Sequence, residues 1–271
     1  MAHPGLTAAQ TAHDKPVDQI LTDIVRLADI DLTERIQALE GESGYFFTHF
    51  ANDHRYASGI VLSNTGAATL QNYDKDFTLK VDGGIITEKV AVTADAHHLE
   101  FKRSGPTDAG RHMIELNREI VFENYATPTI FRTRWKIEDN SSIPLNGMFI
   151  GLHDGQITPA RPANGIYLEV QIQNTLWRFV SSRSSVNTVG TGFAPPAAGF
   201  WFEIVIFWDG SGASCRINDS IGVLREAELL TTNLPFDRAI YPCGQITTSN
   251  TTVDAVNLDR FGAAHGLPLV P

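Results

Sequence analysis

The sequence predicts an all-β sandwich preceded by a short helical arm, and three observations carry that prediction. From Tyr45 onward, short runs rich in Val, Ile, Phe, Tyr and Thr recur, separated by turn signals such as Asp82-Gly83-Gly84, Asp154-Gly155 and Asp209-Gly210. This spacing suits a sandwich or jelly roll, because βαβ units would interpose helical patterns between the strands. The stretch Gly165–Asn174, GIYLEVQIQN, alternates cleanly, with Ile166, Leu168, Val170 and Ile172 on one side and Tyr167, Glu169, Gln171 and Gln173 on the other. A period of two marks a strand with one buried face and one facing solvent or ligand. Ahead of the strands, one segment alone shows helical spacing.

That segment opens the chain. Residues 1–13 are small and polar, without periodicity, and read as a flexible or partner-docked arm. Asp14 suits a helix N-cap with Pro16 just inside, and Val17, Ile20, Leu21, Ile24, Val25 and Ala28 then make one apolar stripe. A shorter helix is expected over Leu32–Leu39, ending at Gly41, and the other faces of the segment are acidic. Three helical turns are marginal alone, so the stripe needs cover. Either it packs on its own domain, or Val17, Ile20, Leu21, Ile24 and Val25 dock on a partner or a second copy. The expectation adopted is docking or oligomerisation, with the arm at 1–43 and the sandwich at 44–271.

Within the sandwich, Phe131–Ile137 sets Phe131, Thr133, Trp135 and Ile137 against Arg132, Arg134 and Lys136. Phe200–Trp208 is apolar on both sides, with Phe200, Phe202, Ile204 and Ile206 opposite Trp201, Val205 and Phe207, so both its faces are expected to be covered. The tail, Gly262–Pro271, reads as extended.

Composition narrows the class. With 271 residues and 42% hydrophobic content, a single large sandwich is the simplest account. The balance of 21 basic to 31 acidic residues gives a formal charge of −10, which argues against non-specific nucleic-acid binding and adhesion to anionic lipid. Neither the N-terminus, MAHPGLTAAQTAHDK, nor any later segment offers the apolar run expected of a signal peptide or membrane span. Cys215 and Cys243 fit no metal spacing and read as two buried thiols.

The order of features in the second half resembles the concanavalin A-like jelly roll shared by legume lectins, laminarinase-type glycosidases and many phage structural proteins. The stretches that carry the likeness are Phe131–Asp139 (FRTRWKIED), Phe149–Asp154 (FIGLHD), Gly165–Phe179 (GIYLEVQIQNTLWRF), Trp201–Asn218 and Val253–Phe261 (VDAVNLDRF). It covers residues 128–262 well and 45–127 only by continuity. Laminarinase-like enzymes place a series of carboxylates on the strand that matches Leu168–Asn174, and here those positions read Glu169, Gln171 and Gln173. A glutamine cannot act as a carboxylate nucleophile or as an acid near neutral pH. The resemblance therefore implies the fold without the hydrolase, and no enzyme is expected.

Other chemistry finds no support in the residues. No G-x-S-x-G elbow, H-E-x-x-H helix, phosphate loop or dinucleotide fingerprint is present. His97 and His98 diverge on a predicted strand, while His49, His54 and His153-Asp154 read as ordinary loop or turn residues. Asp139-Asn140 and Asp154 do not make the Asp-rich loop of a calcium site, so neither metal nor cofactor is expected.

Binding remains. Arg132, Arg134, Tyr167, Glu169, Gln171, Gln173 and Trp177 form the candidate glycan-binding set, with Lys136, Arg178 and Arg216 nearby on polar strand faces. Tyr167 or Trp177 would be the aromatic platform. The competing reading stays open, because sandwich aromatics mostly fill cores and charged rows are mostly solvated or covered by a neighbouring subunit. Two functions follow as expectations. One is a non-enzymatic, oligomeric component of a phage virion (capsid decoration, head fibre or tail), made in the host cytoplasm and bound to other virion proteins. The alternative is a glycan-binding adhesin for host attachment, its partner a cell-surface glycan.

Overall fold

A computed structural model of the chain describes residues 46–49, 61–63, 69–73, 77–82, 84–89, 98–103, 110–116, 120–121, 128–138, 147–155, 160–170, 176–209, 211–219, 224–248 and 256–265, and all the regular structure in them is β. The first half of these strands comprises β1 (Phe46–His49), β2 (Val61–Ser63), β3 (Thr69–Tyr73), β4 (Phe77–Asp82), β5 (Gly84–Lys89), β6 (His98–Arg103), β7 (Gly110–Leu116), β8 (Ile120–Val121) and β9 (Thr129–Ile137). The second half comprises β10 (Gly147–His153), β11 (Gly165–Val170), β12 (Trp177–Arg183), β13 (Val186–Val189), β14 (Trp201–Trp208), β15 (Ala213–Asp219), β16 (Leu224–Glu226), β17 (Ala239–Thr248) and β18 (Val256–His265). The predicted arm, including Val17, Ile20, Leu21, Ile24 and Val25, lies outside the described residues. So do Gln171 and Gln173, because the described part of the predicted Gly165–Asn174 strand ends at Val170.

The strands form two antiparallel sheets. One runs in the order β16-β15-β14-β9-β18-β6-β5-β2, with β1 also paired to β18; the other runs β13-β12-β11-β10-β17-β7-β4-β3, with β8 paired to β17. We call them the β14 sheet and the β11 sheet. Alternation decides which side chains meet between them. Phe131 and Trp135 of β9 and Phe202, Ile204, Ile206 and Trp208 of β14 face Ile150 and Leu152 of β10, Ile166 and Leu168 of β11, and Trp177 and Phe179 of β12, all buried in one core. Aromatic rings stitch the sheets together: Trp177 meets Phe202 edge-on at 5.2 Å and Phe101 meets His112 at 5.9 Å, while Phe101 and Trp135 of one sheet lie 5.8 Å apart. Gly244 on β17 makes room for the largest of these rings, since a Cβ there would stand 2.8 Å from Trp135 Cζ2.

One side of the sandwich is closed by a strap. Between β16 and β17, the Glu228 carboxylate accepts from Thr191 N at 2.9 Å, Thr232 O accepts from Ser181 Oγ at 2.7 Å, and Asn233 Nδ2 donates to Thr188 Oγ1 at 2.9 Å. The segment is thereby tied to β12 and to the terminal strand β13. The Asp209-Gly210 turn forms as its residues predict, with Asp209 Oδ1 accepting from Ser211 N and Gly212 N at 2.8 and 2.9 Å. Both cysteines are free thiols and buried.

Candidate functional site

The two outer faces of the sandwich differ, and the predicted site residues are divided between them. Arg132 and Arg134 point outward from β9 in the β14 sheet, whereas Tyr167 and Glu169 lie on β11 in the other sheet. Trp177 points into the shared core and is fully buried, so it is no sugar platform. Among the described members of the predicted set, the structure therefore brings together Arg132 with Arg134 on one sheet and Tyr167 with Glu169 on the other, rather than all on one face.

Those two arginines line a groove of about 290 Å³ with Trp201, Glu203, Asn218, Asp219 and Arg260. The register explains the convergence. Arg260 pairs across the strands with Arg134, Arg134 with Glu203, and Glu203 with Asn218, so four polar side chains form one row across β18, β9, β14 and β15. Inside the row, Arg132 Nε donates to Glu203 Oε1 at 2.6 Å. Arg134 and Arg260 stand directly opposite each other, an arrangement that costs free energy for like charges unless a counter-charge intervenes. A register shift between Leu258 and Arg260 supplies it. The extra residue at this bulge, Asp259, is buried and accepts from Arg134 Nη1 at 2.8 Å. Asp219, also buried, accepts from Arg225 Nη1 at 2.8 Å. Trp201 forms the wall of the groove, with the Arg134 guanidinium 5.1 Å and the Lys136 ammonium 5.7 Å from its ring centroid.

The sequence reading missed Trp201, Glu203, Asn218, Asp219 and Arg260. Trp201 and Glu203 carried a signal, since they occupy outward positions of Phe200–Trp208. Asp259 and Arg260 carried none, because a bulge shifts alternation by one residue and leaves no mark in residue type. Of the other predicted polar residues, Arg216 is exposed and pairs with Glu226 at 2.9 Å, and Lys136 is nearly buried beside Glu138 at 3.1 Å.

On the β11 sheet, the polar side chains of β11 that were expected to face out are buried. Tyr167 is buried with Phe149 and Val180, its ring meeting those of Phe149 and His153 edge-on, each at 5.7 Å. Glu169 is only 1% exposed and accepts from Arg161 Nε at 2.8 Å. The polar row on which the carbohydrate-hydrolase argument turned thus offers no open carboxylate over the part of the strand described. Burial pushes the Tyr167 phenol up, and the neighbouring Glu169 carboxylate adds to the effect. His153, read from the sequence as an ordinary turn residue, is instead fully buried at the end of β10. Burial lowers its pKa to about 4, against the opposing effects of the Phe149 carbonyl and Asp154. Gly155 seals the ring: a Cβ there would stand 2.7 Å from His153 Nδ1 and 3.0 Å from Cys243 Sγ. Asp154 clamps the loop base, its two carboxylate oxygens accepting from Asn164 N at 3.0 Å and Nδ2 at 2.8 Å. Those oxygens are therefore engaged within the loop. Among the described residues, no three His, Cys, Asp or Glu side chains gather as a metal site.

No protein-family model matches the chain, and no curated protein matches it. Solved structures do. The chain is similar to a Lotus tetragonolobus seed lectin, with a TM-score of 0.54 at 8% identity over 74% of this chain and 99% of that one. It is similar to a Shewanella oneidensis MR-1 protein of unknown function, with a TM-score of 0.52 at 11% identity over 84% of this chain and 89% of that one. It is also similar to the exoplasmic/lumenal domain of VIP36 in its Ca2+/Man3GlcNAc-bound form, with a TM-score of 0.51 at 7% identity over 71% and 85% of the two chains. The fold is thus a lectin-like, concanavalin A-like sandwich.

Proposed function

We propose that this chain is a non-enzymatic carbohydrate-binding protein that holds its sugar in the groove on the β14 sheet. The cross-strand row Arg260, Arg134, Glu203 and Asn218 beneath the Trp201 wall carries this reading. It sets planar donors and acceptors around a hollow close to the smallest of the roughly 300–1,000 Å³ typical of small-molecule sites. The fold neighbours lend the class: one is a seed lectin and another is described with a bound mannose-containing glycan. Their likeness extends to fold alone, so the groove supports the reading and the neighbours supply its context. The burial of Glu169 against Arg161 supports binding over hydrolysis. A glycan array of the full-length chain tests the proposal. Saturable binding that Asn218→Ala and Arg132→Ala weaken, with the melting temperature kept, supports it, and silence across the array sinks it.

A particle role is the second proposal: an oligomeric phage component, in which sugar binding would serve host attachment. The observation in its favour is the distribution of exposed apolar side chains. Leu176, Val186, Val189, Phe200, Leu224 and Leu229 are exposed, which suits a subunit contact. Absence of the protein from purified particles would end this reading.

A further inference from the structure

We infer that the sugar recognised by the groove is acidic, and that its carboxylate seats on Arg260. The inference rests on the carbohydrate-binding reading and names its ligand class. Charge around the groove is uneven. Four guanidiniums, of Arg132, Arg134, Arg225 and Arg260, meet three carboxylates, of Glu203, Asp219 and Asp259. Three of the arginines hold close pairs, at 2.6 Å for Arg132 with Glu203 and 2.8 Å for both Arg134 with Asp259 and Arg225 with Asp219. Arg260 is the exception. Its Nε stands 3.7 Å from Asp259 Oδ2, beyond hydrogen-bond reach, and is buried without a hydrogen-bond partner among the described residues.

A guanidinium whose Nε is buried without an acceptor is poorly satisfied, and the Arg260 side chain, 30% exposed, opens to the groove, so of the four guanidiniums it is the one left to take a ligand anion. Asp259 does not supply the acceptor in this geometry, because its nearer oxygen stands 3.7 Å away and accepts instead from Arg134 at 2.8 Å. A ligand carboxylate presents two coplanar oxygens that match the planar guanidinium fork, a match a lone hydroxyl does not provide. On a chain of formal charge −10, an anion is held only where local charge is arranged for it. Glu203 and Asn218, farther along the row, then face the neutral hydroxyls of the same ring, for which Glu203 accepts and Asn218 both donates and accepts.

The test is an array of uronate- and sialate-bearing oligosaccharides beside their neutral analogues, read with the full-length chain and with Arg260→Gln and Arg260→Lys. Acidic sugars should bind at least about tenfold more tightly than neutral analogues, and Arg260→Gln should remove about tenfold or more of that affinity. Arg260→Lys, which keeps the charge without the fork, should fall between, and added salt should weaken binding by the parent chain. Melting temperatures confirm that each variant is folded, and should Arg260→Gln fail to fold, the lysine variant carries the comparison. Neutral sugars binding as tightly as acidic ones, sensitive to Asn218→Ala, would overturn the acidic ligand while leaving the sugar-binding reading intact. Acidic binding indifferent to both Arg260 variants would overturn the seat. Binding of neither class would overturn the sugar-binding reading and this inference together.

Discussion

On the outer face of the β11 sheet, the Arg161–Glu169 pair has its side chains 28% and 1% exposed, whereas on the β14 sheet the Arg132–Glu203 pair stands at the rim of a groove with its side chains 47% and 21% exposed. The two pairs have the same chemistry and similar lengths, 2.8 and 2.6 Å. Their surroundings give them opposite uses. Where the carboxylate is buried, a pair fixes structure because the cation cannot be lost without stranding the acid. At a wet rim, a pair contributes little to stability and remains available to exchange partners with a ligand. On the proposed sugar-binding reading, it is the absence of cover that leaves the second pair free to meet a ligand.

The largest expected effect follows from breaking the Arg161–Glu169 pair. Arg161→Ala leaves the Glu169 carboxylate buried without its cation and should cost roughly 3–5 kcal/mol, the usual penalty for an orphaned buried charge. For a domain of this size that corresponds to a fall in melting temperature of about 10 °C. Arg161→Met combined with Glu169→Leu removes both charges and should recover most of the loss. A single variant with an unchanged melting temperature would show that water reaches Glu169 and that the contrast between the faces is wrong.

The same contrast explains how much was legible in the sequence. The sandwich could be read because alternation and Asp-Gly turns act locally: Ile166 and Leu168 face the core as their spacing requires, and Asp209 caps its turn as its residue type requires. Cover is not local. Tyr167 and Glu169 alternate as an exposed polar row does, and only the packing of Phe149, Val180, His153 and Arg161, from other strands and a loop, converts that row into an interior. Trp177 was open to two readings, and the cross-sheet contact with Phe202 decides for the core. On the groove side, Arg132 and Arg134 were legible from β9 alone, but their companions come from three further strands aligned by register and by one bulge.

Acid should discriminate between the faces next. His153 is held neutral, with its pKa lowered from 6.5 to about 4. Between those values the unfolded chain takes up a proton that the folded chain does not, so the contribution is fully present above pH 6.5 and is lost as pH falls through 4. The loss amounts to about 3 kcal/mol. Equilibrium unfolding at pH 7 and pH 4.5 should show most of this difference in the parent chain, and His153→Gln should flatten that part of the profile. Asp209 adds a smaller effect of the same sign. Burial would raise its carboxyl, but hydrogen bonds from Ser211 and Gly212 outweigh it and hold the group below its ordinary value, so its contribution is lost only at still lower pH. An unfolding free energy flat from pH 7 to pH 4.5 would place His153 in contact with water.

The smallest stability effect belongs to the open face, where it carries the most functional meaning. Arg132→Ala removes a side chain that is nearly half exposed, together with its 2.6 Å bond to Glu203. Because water replaces the partner on both sides, the unfolding free energy should change by less than about 1 kcal/mol. Sugar affinity should nevertheless fall, since Glu203 then loses the cation that orients it in the row with Arg134 and Asn218. Unfolding and binding measured on the same preparation separate the two roles. A large loss of stability would mean that the groove is braced as the β11 face is, and the distinction between a structural and a functional ion pair would no longer follow from cover alone.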